Sequence, residues 1–117
     1  MSESVYGERI EALVEGLDAM LDHMNDDYRG WMKTDDPIKK RMCSEYHAGL
    51  TYYMGKKYVK VISGNSVCAF VVACDGDKKF MFGDILKPAG WRAPARNFRR
   101  GNVLDRSFDR VRWTGAL

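Results

Sequence analysis

The sequence predicts an α+β protein, in which one or two N-terminal helices pack on one face of an antiparallel β-meander and a long basic loop or strand follows. Three observations support this fold class. Apolar residues recur every three or four positions near the N-terminus, β-branched and aromatic residues alternate with polar ones from Thr51, and the C-terminal part has neither period. We therefore expect a single domain with a helical part (1–50), a β-meander (51–86) and a basic Arg/aromatic segment (87–117).

The first element is an amphipathic helix over residues 4–28, with Ser4 as its N-cap. Its apolar stripe consists of Ile10, Leu13, Val14, Leu17, Leu21, Met24 and Tyr28. Its opposite face is acidic and consists of Glu11, Glu15, Asp18, Asp22 and Asp26.

A second helix is expected to begin at Asp35-Asp36-Pro37, because an Asp cap followed by proline suits the free N–H groups of a helix start. Gly49 is its natural end. The spacing places Ile38, Met42 and Tyr46 on the inward side and Lys39, Lys40 and Arg41 on the outward side.

Three strands are predicted next, over residues 57–63, 66–74 and 79–82, the last resuming at Ile85 and Leu86. Gly64-Asn65 and Asp75-Gly76 provide the turns. The middle strand is apolar on both faces and needs a second cover besides the helices, either the C-terminal segment or another subunit. This need favours a homo-oligomer. Residues 110–113 alternate and suggest a short final strand.

Charge is unevenly distributed along the chain. The net charge is −7 over residues 1–36, +4 over residues 37–86 and +6 over residues 87–113. A chain polarised in this way can bind a polyanion with its basic side while the acidic helix lies away from it.

Residues 87–102 combine cations, aromatic residues, Pro and Gly without periodicity, which predicts a long functional loop. Arginine binds phosphate oxygens through a planar fork, and an aromatic ring accepts the face of any base. The expected phosphate contacts are Lys60, Lys87, Arg92, Arg96, Arg99, Arg100, Arg110 and Arg112. The expected stacking residues are Tyr58, Trp91 and Phe98, although Trp91 is equally suited to anchoring the loop on the core. Phe108 and Trp113 are expected to pack.

Signatures of enzymes, metal sites and membrane spans are missing from the sequence. Nucleophile elbows, phosphate-binding loops and zinc-ligand spacings do not occur, so we expect no catalytic residue, cofactor or metal. Asp75 and Asp77 flank a turn glycine and suggest turn chemistry. The three cysteines are expected to be reduced thiols, and the N-terminus lacks the pattern of a signal peptide, which favours a cytoplasmic protein.

Four segments carry a resemblance to a known group. Lys87-Pro88-Ala89-Gly90-Trp91-Arg92-Ala93-Pro94-Ala95-Arg96, followed by Arg100-Gly101-Asn102, resembles a pattern in small proteins of tailed bacteriophages. Residues 57–67 and 83–86 belong to the same pattern, which spans roughly residues 57–104. Within that group the chain is similar to the single-stranded-DNA-binding RNA polymerase cofactors of lytic podoviruses. The resemblance implies a non-enzymatic protein that acts with a polymerase in the infected bacterial cell.

The sequence thus favours binding of single-stranded DNA over duplex, because neither helix carries the basic face that a major-groove reader needs. RNA remains an alternative ligand. A second alternative is a phage protein that binds and redirects a host protein, since Trp and Arg also dominate protein hot spots.

Overall fold

The first helix, α1, spans Glu3–Met32 in a computed structural model that describes residues 3–32 and 36–117. The predicted stripe is confirmed, because Leu13, Leu17, Met24 and Tyr28 are buried and the five acidic residues opposite them are exposed. The expected N-cap at Ser4 is wrong, since Glu3 is already helical. Asp35, expected at the start of the next helix, lies outside the described residues.

Gly16 marks the closest approach of α1 to the rest of the chain. A Cβ atom at this position would lie 2.7 Å from the carbonyl oxygen of Val103. That distance is shorter than real Cβ contacts, so the helix can lie against Val103 only with glycine here.

The second helix, α2, spans Pro37–Gly49 and is capped as predicted, because the Asp36 carboxylate accepts the N–H of Ile38 at 2.8 Å. The expected inward side is wrong in part: Ile38 is 69% exposed and Met42 is 42% exposed. Only Tyr46 reaches the core, where its ring stacks on Tyr28 at 4.4 Å. The apolar side chains of Ile38 and Met42 are thus left largely in solvent.

Five strands form one antiparallel sheet in sequential order, which confirms the predicted meander. They are β1 Leu50–Met54, β2 Tyr58–Ser63, β3 Ser66–Val72, β4 Asp84–Leu86 and β5 Gly101–Asn102. A register shift between Val61 and Ile62 interrupts the pairing of β2 with β3. Helix α1 covers one face, where Leu13, Leu17 and Met20 meet Val59 and Val71.

The predicted strand over residues 79–82 is wrong. The Asp77 carboxylate accepts the backbone N–H groups of Lys79 at 2.9 Å and Phe80 at 3.0 Å, which are the donors that a strand would need. Residues 73–83 therefore form a long irregular connection instead of a tight hairpin at Asp75-Gly76, and pairing resumes at Asp84.

The second face of the sheet is covered by the chain itself. Phe70, Val72 and Leu86 are almost fully buried there together with Phe80 from the irregular connection. The apolar character of β3 on both faces, which favoured an oligomer, is therefore satisfied within one chain. Oligomerisation itself stays a prediction.

The C-terminus ends in a small hairpin of β6 Val111–Arg112 and β7 Gly115–Ala116, which confirms the short final strand. The hairpin is fixed to α1, because the Trp113 N–H donates to Asp27 at 2.8 Å and a ring nitrogen of His23 lies 2.8 Å from the Val111 carbonyl oxygen. Phe108 is buried as predicted. In the described part of the chain, no helix has the length and apolarity needed to cross a membrane.

Candidate nucleic-acid interface

Strand register places one set of side chains on the sheet face away from α1. Lys60 lies opposite Phe70, which lies opposite Leu86, and Tyr58 lies opposite Val72. Side chains directly opposite one another in a sheet point to the same side. Phe70, Val72 and Leu86 form a cluster separate from the one that contains α1, so Tyr58 and Lys60 project away from that helix.

Lys60 connects this face to the C-terminal loop. Its ammonium nitrogen lies 5.3 Å from the centre of the Trp91 ring and 5.9 Å from that of Phe70. Trp91 is 53% exposed, so it does not anchor the loop by burial in the core. An open indole face beside an ammonium group offers a stacking surface and a phosphate contact in one place.

Arg96 lies at the second contact between sheet and loop. It donates to the Tyr58 hydroxyl at 2.6 Å and to Asp77 at 2.9 Å, and its guanidinium stands 4.9 Å from the Phe80 ring centre. The hydrogen bond from Arg96 lowers the pKa of Asp77, and the same bond raises the pKa of Arg96. The charge of Arg96 is thus partly balanced by the Asp77 carboxylate within the same chain.

We call this surface the cation–aromatic face, and it consists of Lys57, Tyr58, Lys60, Lys79, Trp91 and Arg96, which lie over the buried rings of Phe70 and Phe80. Lys87 and Arg92 flank Trp91 on the loop and are exposed. Neither side chain has an ion-pair or hydrogen-bond partner among residues 3–32 and 36–117. They are the candidate cations most available to a phosphate.

A second group of predicted residues surrounds Phe98, which is 45% exposed. The Arg100 and Arg110 guanidinium groups lie 3.8 Å and 5.4 Å from its ring centre. Arg100 is only 6% exposed, its Nε atom has no hydrogen-bond partner among the described residues, and burial lowers its pKa. Arg100 is therefore a structural residue in this fold, and its expected role as a phosphate contact is corrected here.

Arg99 is half exposed and donates to Asp84 at 3.0 Å. The Asp84 side chain is 2% exposed and also accepts the Asn102 amide at 2.9 Å and the Met81 N–H at 2.8 Å. Asp84 thereby links β4, β5 and the preceding turn. In the sequence, the only signal for this role is a carboxylate at the start of a predicted strand segment.

Arg112 lies apart from the other predicted contacts. It is 3.8 Å from Asp27, on the side of the molecule where α1 and the C-terminal hairpin meet. The acidic side chains of α1 are exposed on the layer that covers the other face of the sheet. The exposed carboxylates of α1 and the cation–aromatic face are thus on opposite sides of the sheet, and Arg112 lies on the side of α1.

Sequence reasoning missed the contact of Lys60 with Phe70, whose ring is buried beneath the face, because cross-strand register is not visible in the sequence. It also missed the internal partner of Arg96. Asp77 stabilises a turn, as expected, by accepting the backbone N–H groups of Lys79 and Phe80. It also forms the ion pair with Arg96, which was not expected.

Metal-binding clusters are absent from the described residues. No three His, Cys, Asp or Glu side chains lie close enough to hold a metal ion there. Burial raises the pKa of the Cys68 thiol to about 12, so this group stays protonated at neutral pH and is a poor nucleophile.

Fold and site together define a small α+β protein with a cation–aromatic face on an antiparallel sheet. The chain belongs to a family of unknown function, DUF7717, whose family model matches residues 3–117. No curated protein and no solved structure matches the chain.

Proposed function

We propose that this protein binds single-stranded DNA on its cation–aromatic face and is not an enzyme. The observation that carries the proposal is the junction of Lys60 with Trp91, where an exposed indole ring and a cation from a distant strand lie together. Single strands are held by stacking on aromatic rings and by cations that follow the backbone.

Charge separation supports this proposal. A flexible polyanion is attracted to Lys57, Lys87 and Arg92 and is repelled by the exposed carboxylates of α1 on the far side of the sheet. The strand is therefore directed to one side of the molecule.

Weak sequence preference is expected from the composition of this face. Trp91 and Tyr58 present ring surfaces, and Lys60, Lys87 and Arg92 present charge, which every nucleotide satisfies. Base-edge readout needs amide or bidentate donors fixed in position, whereas Arg96 already uses its donors on Tyr58 and Asp77.

Titration of the protein with fluorescent single-stranded oligonucleotides at several salt concentrations tests the proposal. The logarithm of affinity should fall with the logarithm of salt at a slope of about −3, since each neutralised phosphate contributes about −0.7 and four cations, Lys57, Lys60, Lys87 and Arg92, are available. Matched DNA and RNA oligomers decide the natural ligand, and absence of binding or salt-independent binding contradicts the proposal.

The finer proposal follows from the resemblance to podoviral polymerase cofactors. In this view the protein acts in the cytoplasm of an infected bacterium and presents single-stranded promoter DNA to an RNA polymerase. Co-purification of the polymerase with tagged protein, dependent on promoter DNA, is the expected result, and transcription unaffected by the protein contradicts it.

A second candidate function, the binding and redirection of a host protein, is favoured by one observation. Three large apolar side chains are exposed on the two helices: Ile38 and Met42 on α2 and Trp31 at the end of α1. A group of exposed apolar side chains is typical of a protein–protein contact surface. Replacing Ile38 and Met42 by Gln should abolish binding of a host protein to this surface and leave oligonucleotide binding unchanged. The two functions can therefore be tested separately.

A further inference from the structure

Strand β1 forms one edge of the sheet, and along its outer side backbone groups have no partner among the described residues. The Gly49 carbonyl oxygen accepts the Gly64 N–H at 2.9 Å, and the Gly55 N–H donates to the Tyr58 carbonyl oxygen at 3.0 Å. Backbone groups alternate in direction along a strand, so odd-numbered residues of β1 bond to β2. The N–H and C=O groups of Tyr52 and Met54 therefore point away from the sheet.

This edge lacks the features by which proteins prevent strands from pairing. The residues of β1 are Leu50, Thr51, Tyr52, Tyr53 and Met54, without charge, proline or bulge. Tyr53 is 63% exposed and Met54 is 46% exposed. Edge strands that must remain single usually carry Lys, Pro or a bulge, or are very short.

The opposite edge of the sheet is blocked. There β5 has two residues, and its Asn102 is bridged by Ser107, whose hydroxyl and N–H groups both contact the Asn102 backbone. Only β1 is thus long, flat and open among the described strands of this sheet.

We propose that β1 pairs antiparallel with β1 of a second copy of this chain, with Tyr53 of each copy directly opposite Tyr53 of the other. In this register the N–H of Tyr52 donates to the C=O of Met54 in the partner, and the C=O of Tyr52 accepts the N–H of that Met54. Two-fold symmetry repeats this pair of bonds with the two copies exchanged. Four backbone hydrogen bonds form, and every free group of Tyr52 and Met54 is used.

A second copy fits this edge better than an unrelated strand does, because the open groups are complementary to themselves under two-fold symmetry. The strand is uncharged, so the pairing brings no like charges into contact. Lys56 follows the strand and would lie about 20 Å from Lys56 of the partner at the rise of a β-strand.

The paired sheet has ten strands, and residues opposite one another project to the same side. Tyr53 lies opposite Lys60 within one chain, so Tyr53 shares the side of the cation–aromatic face. The two cation–aromatic faces then form one surface of doubled length. This consequence depends on the proposed function, whereas the pairing itself does not.

Cysteine cross-linking tests the register. Cα atoms of a pair without mutual hydrogen bonds lie about 4.5 Å apart, so Tyr53→Cys should form an intermolecular disulfide under mild oxidation. Thr51→Cys is the matched control on the same strand and is also exposed. Its counterpart would lie about 13 Å away, beyond disulfide reach. Cross-linking of Thr51→Cys with equal or greater yield overturns the register, and mass spectrometry distinguishes these links from any through Cys43.

Sedimentation velocity over a range of concentrations tests the dimer. Wild-type protein should be dimeric, and both Tyr53→Lys and Met54→Pro should be monomeric, the former by opposing two charges and the latter by removing an outward N–H. Asn65→Lys adds the same charge at an exposed turn and should stay dimeric. Circular dichroism verifies folding of each variant.

A wild-type monomer at all concentrations, or a dimer that persists in both edge variants, overturns the proposal. The outcome is independent of nucleic-acid binding. If the dimer forms and oligonucleotides do not bind, the proposed function fails and the pairing stands. If both hold, the length of oligonucleotide needed to saturate the dimer should be about twice that for the Tyr53→Lys monomer.

Discussion

Lys60 and Trp91 belong to parts of the chain that are far apart in sequence, and the structure places the Lys60 ammonium 5.3 Å from the centre of the Trp91 ring. The contact joins β2 to the C-terminal loop on the sheet face opposite α1. It is the geometric basis of the proposed single-strand interface.

Trp91→Ala should weaken oligonucleotide binding by about 5- to 140-fold, because base stacking on an aromatic ring contributes about 1–3 kcal/mol. The melting temperature should change little, since the ring is already 53% exposed. Trp31→Ala, at a residue 65% exposed near the end of α1, is the control and should bind normally. Equal losses in both variants would refute the assignment.

Lys87→Gln combined with Arg92→Gln should make the salt dependence shallower by about 1.4 in slope, because each lost phosphate contact removes about 0.7. Both residues are exposed, so unfolding free energy should stay within about 0.5 kcal/mol of wild type. Lys39→Gln with Lys40→Gln removes the same charge from α2 and should leave the slope unchanged. If the salt dependence changes only in the Lys39→Gln, Lys40→Gln variant, the ligand binds near α2 and not at the loop.

Asp77→Asn should strengthen oligonucleotide binding several-fold by freeing Arg96 and removing a negative charge from the face. The amide oxygen of Asn can still accept the N–H groups of Lys79 and Phe80, so the turn is retained. Weaker binding in this variant would show that Asp77 positions Arg96 for the ligand. Fluorescence anisotropy measures the change.

Asp77→Asn also tests a pH dependence. The hydrogen bond from Arg96 lowers the pKa of Asp77 in the folded protein. The ionised Asp77 carboxylate therefore stabilises the fold fully at pH values above its pKa in the unfolded chain, about 3.9, and this stabilisation is lost as the pH falls below that value. The stability difference between wild type and variant should therefore shrink when urea unfolding is repeated from pH 6 down to pH 2.5. A difference that is constant with pH contradicts the ion pair.

Asp84→Ala should destabilise the fold by about 2–4 kcal/mol, because it leaves the Asn102 amide and the Met81 N–H without their buried acceptor. Arg99→Ala should cost much less, since the Arg99 side chain is 52% exposed and its removal leaves Asp84 with two donors. Urea unfolding compares the two variants. Similar losses would indicate that the ion pair, and not the hydrogen-bond network, stabilises this corner.

Gly16→Ala should destabilise the protein although alanine favours helices by about 1 kcal/mol over glycine. The new methyl carbon would lie 2.7 Å from the Val103 carbonyl oxygen, a backbone atom that cannot rotate away. Gly30→Ala is the matched control in the same helix, where nothing lies within 4 Å, and it should stabilise. Thermal unfolding of the two variants should thus shift in opposite directions.

Much of the fold could be predicted because it follows from local pattern. The stripe of α1, the Asp36-Pro37 helix start and the order of the main strands each depend on neighbouring residues. The strand expected over residues 79–82 failed because a side chain, Asp77, took the backbone donors that sheet pairing would use. The exposure of Ile38 could not be foreseen, since periodicity shows which residues share a face and not whether anything covers it.

The α+β class, the separation of acidic and basic segments and the basic, aromatic C-terminal loop can all be read from the order of residues. Which cations are available to a ligand depends on the folded chain. Arg96 pairs with Asp77, Arg99 pairs with Asp84 and Arg100 is buried, while Lys87 and Arg92 remain exposed. The physical reason is that charge is a property of the residue, whereas pairing and burial depend on which distant segments the turns bring together.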